Sequence, residues 1–387
     1  MIVKREIQQH LVRLSRQYPV LTVTGPRQAG KTTLVKMAFP KLPYFNLEDP
    51  DIREMVELDP RAFLEKIARG AIIDEFQRVP TLTSYLQGFV DENKKNRKII
   101  LTGSHQLEVL NKVSQSLAGR TAIVKLLPFS ISEANSMKPK LRLADYLYHG
   151  FYPRIYSDKL NPTEAYRNYF ETYIERDLRQ IIHIKDLRQF RKFVKLCAGR
   201  VGQIFIANNL ANEIGVSLPT INAWLSICEA SFIIFLLEPY HANIGKRLIK
   251  SPKLYFYDVG LASYLLGIEN TKQIERDPLW GSLIENMVIC ELMKKRLNQG
   301  KDPQLFFYRD SNMNEVDVVF QSGPFLIPIE IKASQTFNQN FTKNLLYFTK
   351  LFPKQTREAY LIYSGNSHHS LGKIRLLNYK NVSDIFH

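Results

Sequence analysis

The sequence predicts an α/β protein built on a parallel sheet, followed by a helical connector, a short helix-turn-helix segment and a second mixed α/β domain. Three observations carry that prediction. In the first third, apolar β-prone runs at 20–24, 44–47, 71–74, 98–102 and 122–126 alternate with helical patterns, the rhythm of parallel strands joined by crossover helices. From about Pro128 the pattern turns helical, with Pro128, Pro139, Pro153 and Pro162 leading into a charged and aromatic stretch at 164–182. At the end, a helix over 283–297 precedes β-prone runs near 305–308, 315–320 and 325–333, the last two joined by a turn at 321–324.

These patterns divide the 387 residues into 1–127, the sheet-bearing core; 128–186, a helical lid or connector; 187–242; and 243–387, the second α/β domain. Within 187–242, the segments 208–214 and 218–230 have helical spacing about a turn at Gly215, and 232–237 reads as a β-run. That is the outline of a winged helix. No fixed-period repeat or low-complexity tract interrupts the chain.

Composition narrows the classes. Hydrophobic residues at 45% and charged ones at 23% are ordinary globular values and exclude a fibrous or disordered chain. The 53 Lys and Arg against 37 Asp and Glu leave +16, a positive potential that makes DNA or another nucleic acid a candidate partner, with plain surface solubility as the alternative. Cys197, Cys228 and Cys290 lie far apart with no CxxC pair, which fits a reducing compartment and disfavours a disulfide frame or zinc site. The apolar runs are too short to cross a bilayer or to act as a signal peptide, so the reading is a cytoplasmic protein with no membrane partner.

The chemistry concentrates in two places. Gly25-Pro26-Arg27-Gln28-Ala29-Gly30-Lys31-Thr32, followed by Thr33, matches the pattern G-x-x-x-x-G-K-S/T between a strand and a helix beginning near Lys31. The glycines allow a tight turn whose N–H groups, with the helix N-terminus, converge on phosphate oxygens. Lys31 is then expected to neutralise the β and γ phosphates of ATP, and Thr32 to ligate Mg²⁺. The strand at 71–74 ends in adjacent carboxylates: Asp74 is expected to hold the hydrated Mg²⁺, and Glu75 to orient the attacking water. Ser104, following the strand at 98–102, is a candidate γ-phosphate sensor, with an ordinary turn serine as the alternative.

The phrases LTVTGPRQAGKTTL, YFNLEDPDIRE, AIIDEFQRVP, LTGSHQ and SLAGR follow the order seen in a family of prokaryotic AAA-type ATPases with a C-terminal nuclease-like domain, and the chain resembles that family over nearly its whole length. The resemblance implies a P-loop NTPase sheet with the phosphate-loop strand in its middle. It also makes Arg120, in Ser-Leu-Ala-Gly-Arg, a candidate arginine finger or phosphate sensor, against a plain surface arginine.

The second place is the C-terminal hairpin. It carries Asp317 on one strand and Glu330-Ile-Lys332 on the next, where Glu330 and Lys332 share a face because strand side chains repeat every two residues. Glu285 on the preceding helix is a further candidate ligand. The set resembles that of the PD-(D/E)xK nuclease fold, in which Glu285, Asp317 and Glu330 would hold a divalent metal and Lys332 would steer or activate a water. A salt-bridged strand pair without cleavage is the competing reading.

Lesser signals remain. Asn208, Asn209, Thr220 and Asn222 could meet DNA if the middle segment binds it, although Trp224, Leu225, Ile227 and Cys228 favour packing for that helix. The pair His368 and His369 reads as a solvated turn. Homo-oligomers and protein partners both stay open as expectations.

Overall fold

The computed structural model describes residues 3–92, 98–103, 117–174, 187–240, 250–366 and 370–386. The chain forms two compact units, one made of residues 1–129 with the short pieces 230–232 and 296–301, the other of the remainder.

In the first unit five strands form one sheet: β1 (Val20–Thr24), β2 (Tyr44–Asn46), β3 (Ala71–Asp74), β4 (Ile99–Gly103) and β5 (Thr121–Lys125). They lie in the order β2-β3-β4-β1-β5, and every neighbouring pair is parallel. β1 is therefore interior, flanked by β4 and β5, but one strand from the edge instead of at the centre. Alternation along the strands feeds two apolar layers. Val20, Ile73, Ile99 and Leu101 meet Phe63, Leu64, Leu82 and Leu86 on one face, while Leu21, Val23, Ile72, Ile100 and Val124 meet Ile7, Leu11, Leu34 and Val35 on the other. Each such side chain, fully buried, contributes about 1.5–3 kcal/mol, and strands covered on both faces must read as unbroken apolar runs, which is how they could be found.

The second unit begins with the helices Ile131–Met137, Leu143–His149, Pro153–Ser157 and Pro162–Tyr169. The stretch expected to be helical over 164–182 instead leaves the α-helix at Tyr169 for a π-type turn, Phe170–Ile174, and its remainder lies outside the described residues. Three more helices follow, Leu187–Ala198, Ala207–Ile214 and Leu218–Ala230, then an antiparallel pair, β6 (Ile234–Leu237) with β7 (Lys253–Phe256). Gly215 closes the helix Ala207–Ile214 in the left-handed region at φ 83°, as the expected turn requires.

The closing part holds the helix Trp280–Asn298 and a six-stranded sheet. Its strands are β8 (Leu305–Arg309), β9 (Glu315–Ser322), β10 (Phe325–Lys332), β11 (Ala359–Tyr363), β12 (Ser370–Leu371) and β13 (Ile374–Asn378). β8, β9 and β10 form an antiparallel meander. β10 then pairs in parallel with β11, and β11 with β13. The helix Lys343–Leu351 is the crossover from β10 to β11, and its Leu345 and Phe348 pack on Tyr308, Val316, Leu326 and Leu361. Among the described residues no helix is long and apolar enough to cross a membrane.

Candidate functional site

At the carboxyl end of β1 the chain turns sharply. Gly25 has φ 148°, and a Cβ there would overlap the Leu126 carbonyl oxygen, so no side chain fits without moving backbone. Gly30, left-handed at φ 91°, opens the helix Lys31–Ala38 and aims its free N–H groups into the loop.

Lys31 is 6% exposed and donates to the carbonyl oxygens of Gly25 (3.0 Å) and Pro26 (2.9 Å), so its ammonium sits inside the curl of the loop. Burial lowers its pKa to about 8, against the opposing pull of Glu75 and Asp74, and Arg27 lowers it further. Thr32 donates its hydroxyl to Asp74 Oδ2 at 2.7 Å, which sets a hydroxyl and a carboxylate side by side at the loop. Pro26, Arg27, Gln28 and Ala29 form the loop between the two glycines, with Gln28 at φ 61°, and Thr33 is exposed one residue beyond Thr32.

Asp74 is a hub. Besides Thr32 it accepts from the Tyr44 hydroxyl at 2.8 Å, from the Thr102 hydroxyl and from the Glu75 N–H. Burial and the Asp74 carboxylate together raise the pKa of Tyr44 and keep it a donor. Glu75 stands in the left-handed region at φ 53° and accepts from the Gln77 side chain, which holds its carboxylate.

One buried cation was missed in the sequence. Arg5, 6% exposed, donates to the Ala29 carbonyl (2.7 Å) and the Leu127 carbonyl (2.7 Å) and lies over the Phe129 ring. It braces the phosphate-type loop from below. No motif marks it, since it reads as one more basic residue in a polar segment.

Arg120 does not join this site. It precedes β5, at the edge of the sheet where Val20 N–H meets its carbonyl, about 13 Å of strand from the loop. There its guanidinium grips Asp91 in two bonds of 2.6 and 2.7 Å. Ser104 lies outside the described residues, as do His368 and His369.

In the second unit the four C-terminal residues do converge. Lys332 bonds Glu330 Oε1 at 2.6 Å and lies 3.8 Å from Asp317 Oδ2, which also accepts from the Ile331 N–H at 2.7 Å. Glu285 is engaged by Lys253, at 3.1 Å, and by the Tyr255 hydroxyl; Lys253 also pairs with Glu315 at 2.5 Å. Lys253, Tyr255 and Glu315 were not foreseen. Their signal was a lysine at the head of β7, directly before Leu254-Tyr255-Phe256, where a buried charge is paired or not tolerated.

Burial, with Asp317 adding, pushes Glu330 up to about 8, and burial does the same for Glu285, to about 7. For Lys253 and Lys332 burial works against the charge, but the surrounding carboxylates outweigh it and raise both. Two ammonium groups thus offset part of the charge of four carboxylates. Among the described residues no three Asp, Glu, His or Cys side chains meet closely enough to hold a metal ion. The expected metal ligands Glu285, Asp317 and Glu330 are close in space but paired with lysines, an arrangement that does not fit a metal ion.

In the helix Leu218–Ala230, Trp224, Leu225, Ile227 and Cys228 are buried, and Trp224 stacks edge-on against Phe190 at 5.6 Å. Asn208, Asn209 and Asn222 are exposed.

A five-stranded parallel sheet whose loop, helix N-terminus, Lys31, Thr32 and Asp74 meet at one strand end defines a P-loop ATPase fold of the AAA type. The family model described as an AAA domain matches residues 17–135, and two domains of unknown function, DUF8612 and DUF4143, match residues 140–272 and 280–382. The uncharacterized proteins Rv2008c of Mycobacterium tuberculosis and Mb2031c of Mycobacterium bovis are each 31% identical over 342 residues, 87% of this chain and 75% of theirs. The chain belongs to the family of AAA-domain proteins that these two represent.

Among solved structures, the Walker-type ATPase PABY2304 of Pyrococcus abyssi is similar at 14% identity, with 68% of this chain and 96% of that one covered and a TM-score of 0.45. The RuvB Holliday junction branch migration motor of Thermotoga maritima is similar at 17%, covering 61% and 90%, with a TM-score of 0.33.

Proposed function

We propose that this protein binds and hydrolyses ATP with Mg²⁺ and couples its nucleotide state to a nucleic-acid-processing, nuclease-like C-terminal domain carried behind a winged-helix-like segment. The observation that carries the nucleotide half is the bond from Thr32 to Asp74 beside a buried Lys31. Thr32 and Asp74 offer Mg²⁺ two hard oxygens, the number that leaves room for phosphates and waters, so the residues fit the ion. Bound Mg²⁺ would neutralise developing phosphate charge. Lys31 exchanges the carbonyls of Gly25 and Pro26 for phosphate oxygens, and Glu75, held by Gln77, orients the attacking water.

The test is ATP turnover by the full chain. Lys31→Ala and Glu75→Gln should each lower it by at least a hundredfold, Glu75→Gln with nucleotide binding retained. Unchanged turnover in both variants would remove the proposal.

One observation favours a second reading, a switch whose nuclease-like domain holds nucleic acid without cutting it: Lys332 and Lys253 are both committed to ion pairs with the carboxylates that would bind metal. Incubating single-stranded and plasmid DNA with Mg²⁺ or Mn²⁺ decides between them. Cleavage lost in Lys332→Ala supports processing; no cleavage by either protein, with DNA-stimulated ATP turnover intact, supports the switch.

A further inference from the structure

A carboxylate offers about four lone-pair sites to hydrogen-bond donors. Among the described residues Asp74 accepts four bonds, two on each oxygen. The Thr102 hydroxyl and the Glu75 N–H, the latter at 3.1 Å, take Oδ1. The Thr32 hydroxyl at 2.7 Å and the Tyr44 hydroxyl at 2.8 Å take Oδ2. With all four sites filled, Asp74 can serve Mg²⁺, directly or through one of the waters on the ion, only if a donor gives way.

Three of the four have reason to stay. Thr102 is 0% exposed on the interior strand β4, and the Glu75 N–H is the next peptide group along the main chain. Thr32 gives its hydrogen to Asp74 and keeps its oxygen lone pairs for the ion, so that bond can persist when metal is bound. Tyr44 differs. It stands half-buried on β2, an edge strand, and its hydroxyl supplies Oδ2 with nothing that a water on Mg²⁺ would not supply. Lys36 Nζ lies over its ring, 3.4 Å from the centroid, so the ring is tethered independently of the hydroxyl.

We infer that the Tyr44 hydroxyl stands in for a magnesium-bound water on Asp74 Oδ2 and competes with the ion for that oxygen. Tyr44 is thus a positioning residue that sets how strongly Mg²⁺ adds to nucleotide binding. The inference rests on the proposed nucleotide site and adds its regulation: the phenol keeps Asp74 satisfied when nucleotide arrives without Mg²⁺ and opposes the ion when it comes.

The experiment titrates a fluorescent ADP analogue into the full chain, Tyr44→Phe and Thr102→Val, each in EDTA and in excess Mg²⁺. The ratio of the two dissociation constants isolates the contribution of the metal. Tyr44→Phe removes the hydroxyl and keeps a ring under Lys36. It should raise the ratio about tenfold, through tighter binding in Mg²⁺ with affinity in EDTA unchanged. A merely structural hydroxyl would move the ratio the other way or not at all. Thr102→Val also strips a donor from Asp74, but at an oxygen where a buried valine stands in its place, so its ratio should stay near that of the unaltered chain. An equal rise in both variants would make the effect one of carboxylate basicity and overturn the inference. If the buried Thr102→Val fails to fold, Tyr44→Phe decides alone. A ratio unchanged or lowered in Tyr44→Phe, with nucleotide still bound, overturns the inference and leaves the nucleotide reading standing; no nucleotide binding by the unaltered chain sinks both.

Discussion

Arg5 and Gly25 show how much of the loop's shape is decided away from the side chains of Lys31 and Thr32. Arg5→Ala would leave the carbonyls of Ala29 and Leu127 without a buried donor, at a cost of about 2–4 kcal/mol. We expect a lower unfolding temperature and weaker nucleotide binding, read by scanning calorimetry and titration, with Arg5→Lys recovering part of each. Gly25→Ala should be harsher, because its Cβ meets the Leu126 carbonyl and the residue must hold φ 148°. A Gly25→Ala protein with unaltered nucleotide affinity would show that the loop is free to move. The motif residues were legible because the phosphate loop is contiguous in sequence. Arg5, Tyr44, Thr102 and Lys253 were not, since each acts on a partner at least 24 residues away and nothing local distinguishes it.

At the scale of elements, Asp258 ties three segments of the second unit together. It caps the helix Val259–Leu265 through the Leu261 N–H at 3.1 Å, and accepts from the Phe151 N–H at 2.7 Å and the Tyr166 hydroxyl at 2.5 Å. Asp258→Asn exchanges an acceptor for a donor against those groups and should cost about 1–3 kcal/mol in denaturant unfolding. Burial holds the Asp258 carboxyl above its usual range, so the folded chain keeps a proton that the unfolded chain releases. The stability tied to that proton is present below the usual carboxylate range and is lost as pH rises through the raised value. The gap between wild type and Asp258→Asn should therefore be widest in acid and narrow toward neutrality; a gap that widens with pH would contradict the assignment. The strands of the first sheet were legible because burial on both faces makes apolar runs, as in β1, β3 and β4. β7 was not, because only three apolar residues follow its leading lysine, and the early end of the helix Pro162–Tyr169 was not, because helical spacing and a π-type turn share the same residue types.

For the whole molecule, the loop-bearing sheet lies in one of the two compact units and the six-stranded sheet in the other. A nonhydrolysable ATP analogue with Mg²⁺, at a hundredfold its dissociation constant, should stabilise the unit carrying the loop by about 2.7 kcal/mol. Lys31→Ala should abolish that shift in calorimetry. The +16 balance adds a field around both units, which speeds encounter with polyanions and fades with salt; it was legible from composition.

The guanidinium beneath the loop also sets an order of events during synthesis. It joins a carbonyl at residue 29 to one at residue 127, so a nascent chain must extend past β5 before the loop acquires its floor. Ribosome-bound fragments ending near residue 100 would contain every letter of the phosphate motif and still fail to capture ligand, and competence would arrive abruptly once the last third of that unit had left the exit tunnel.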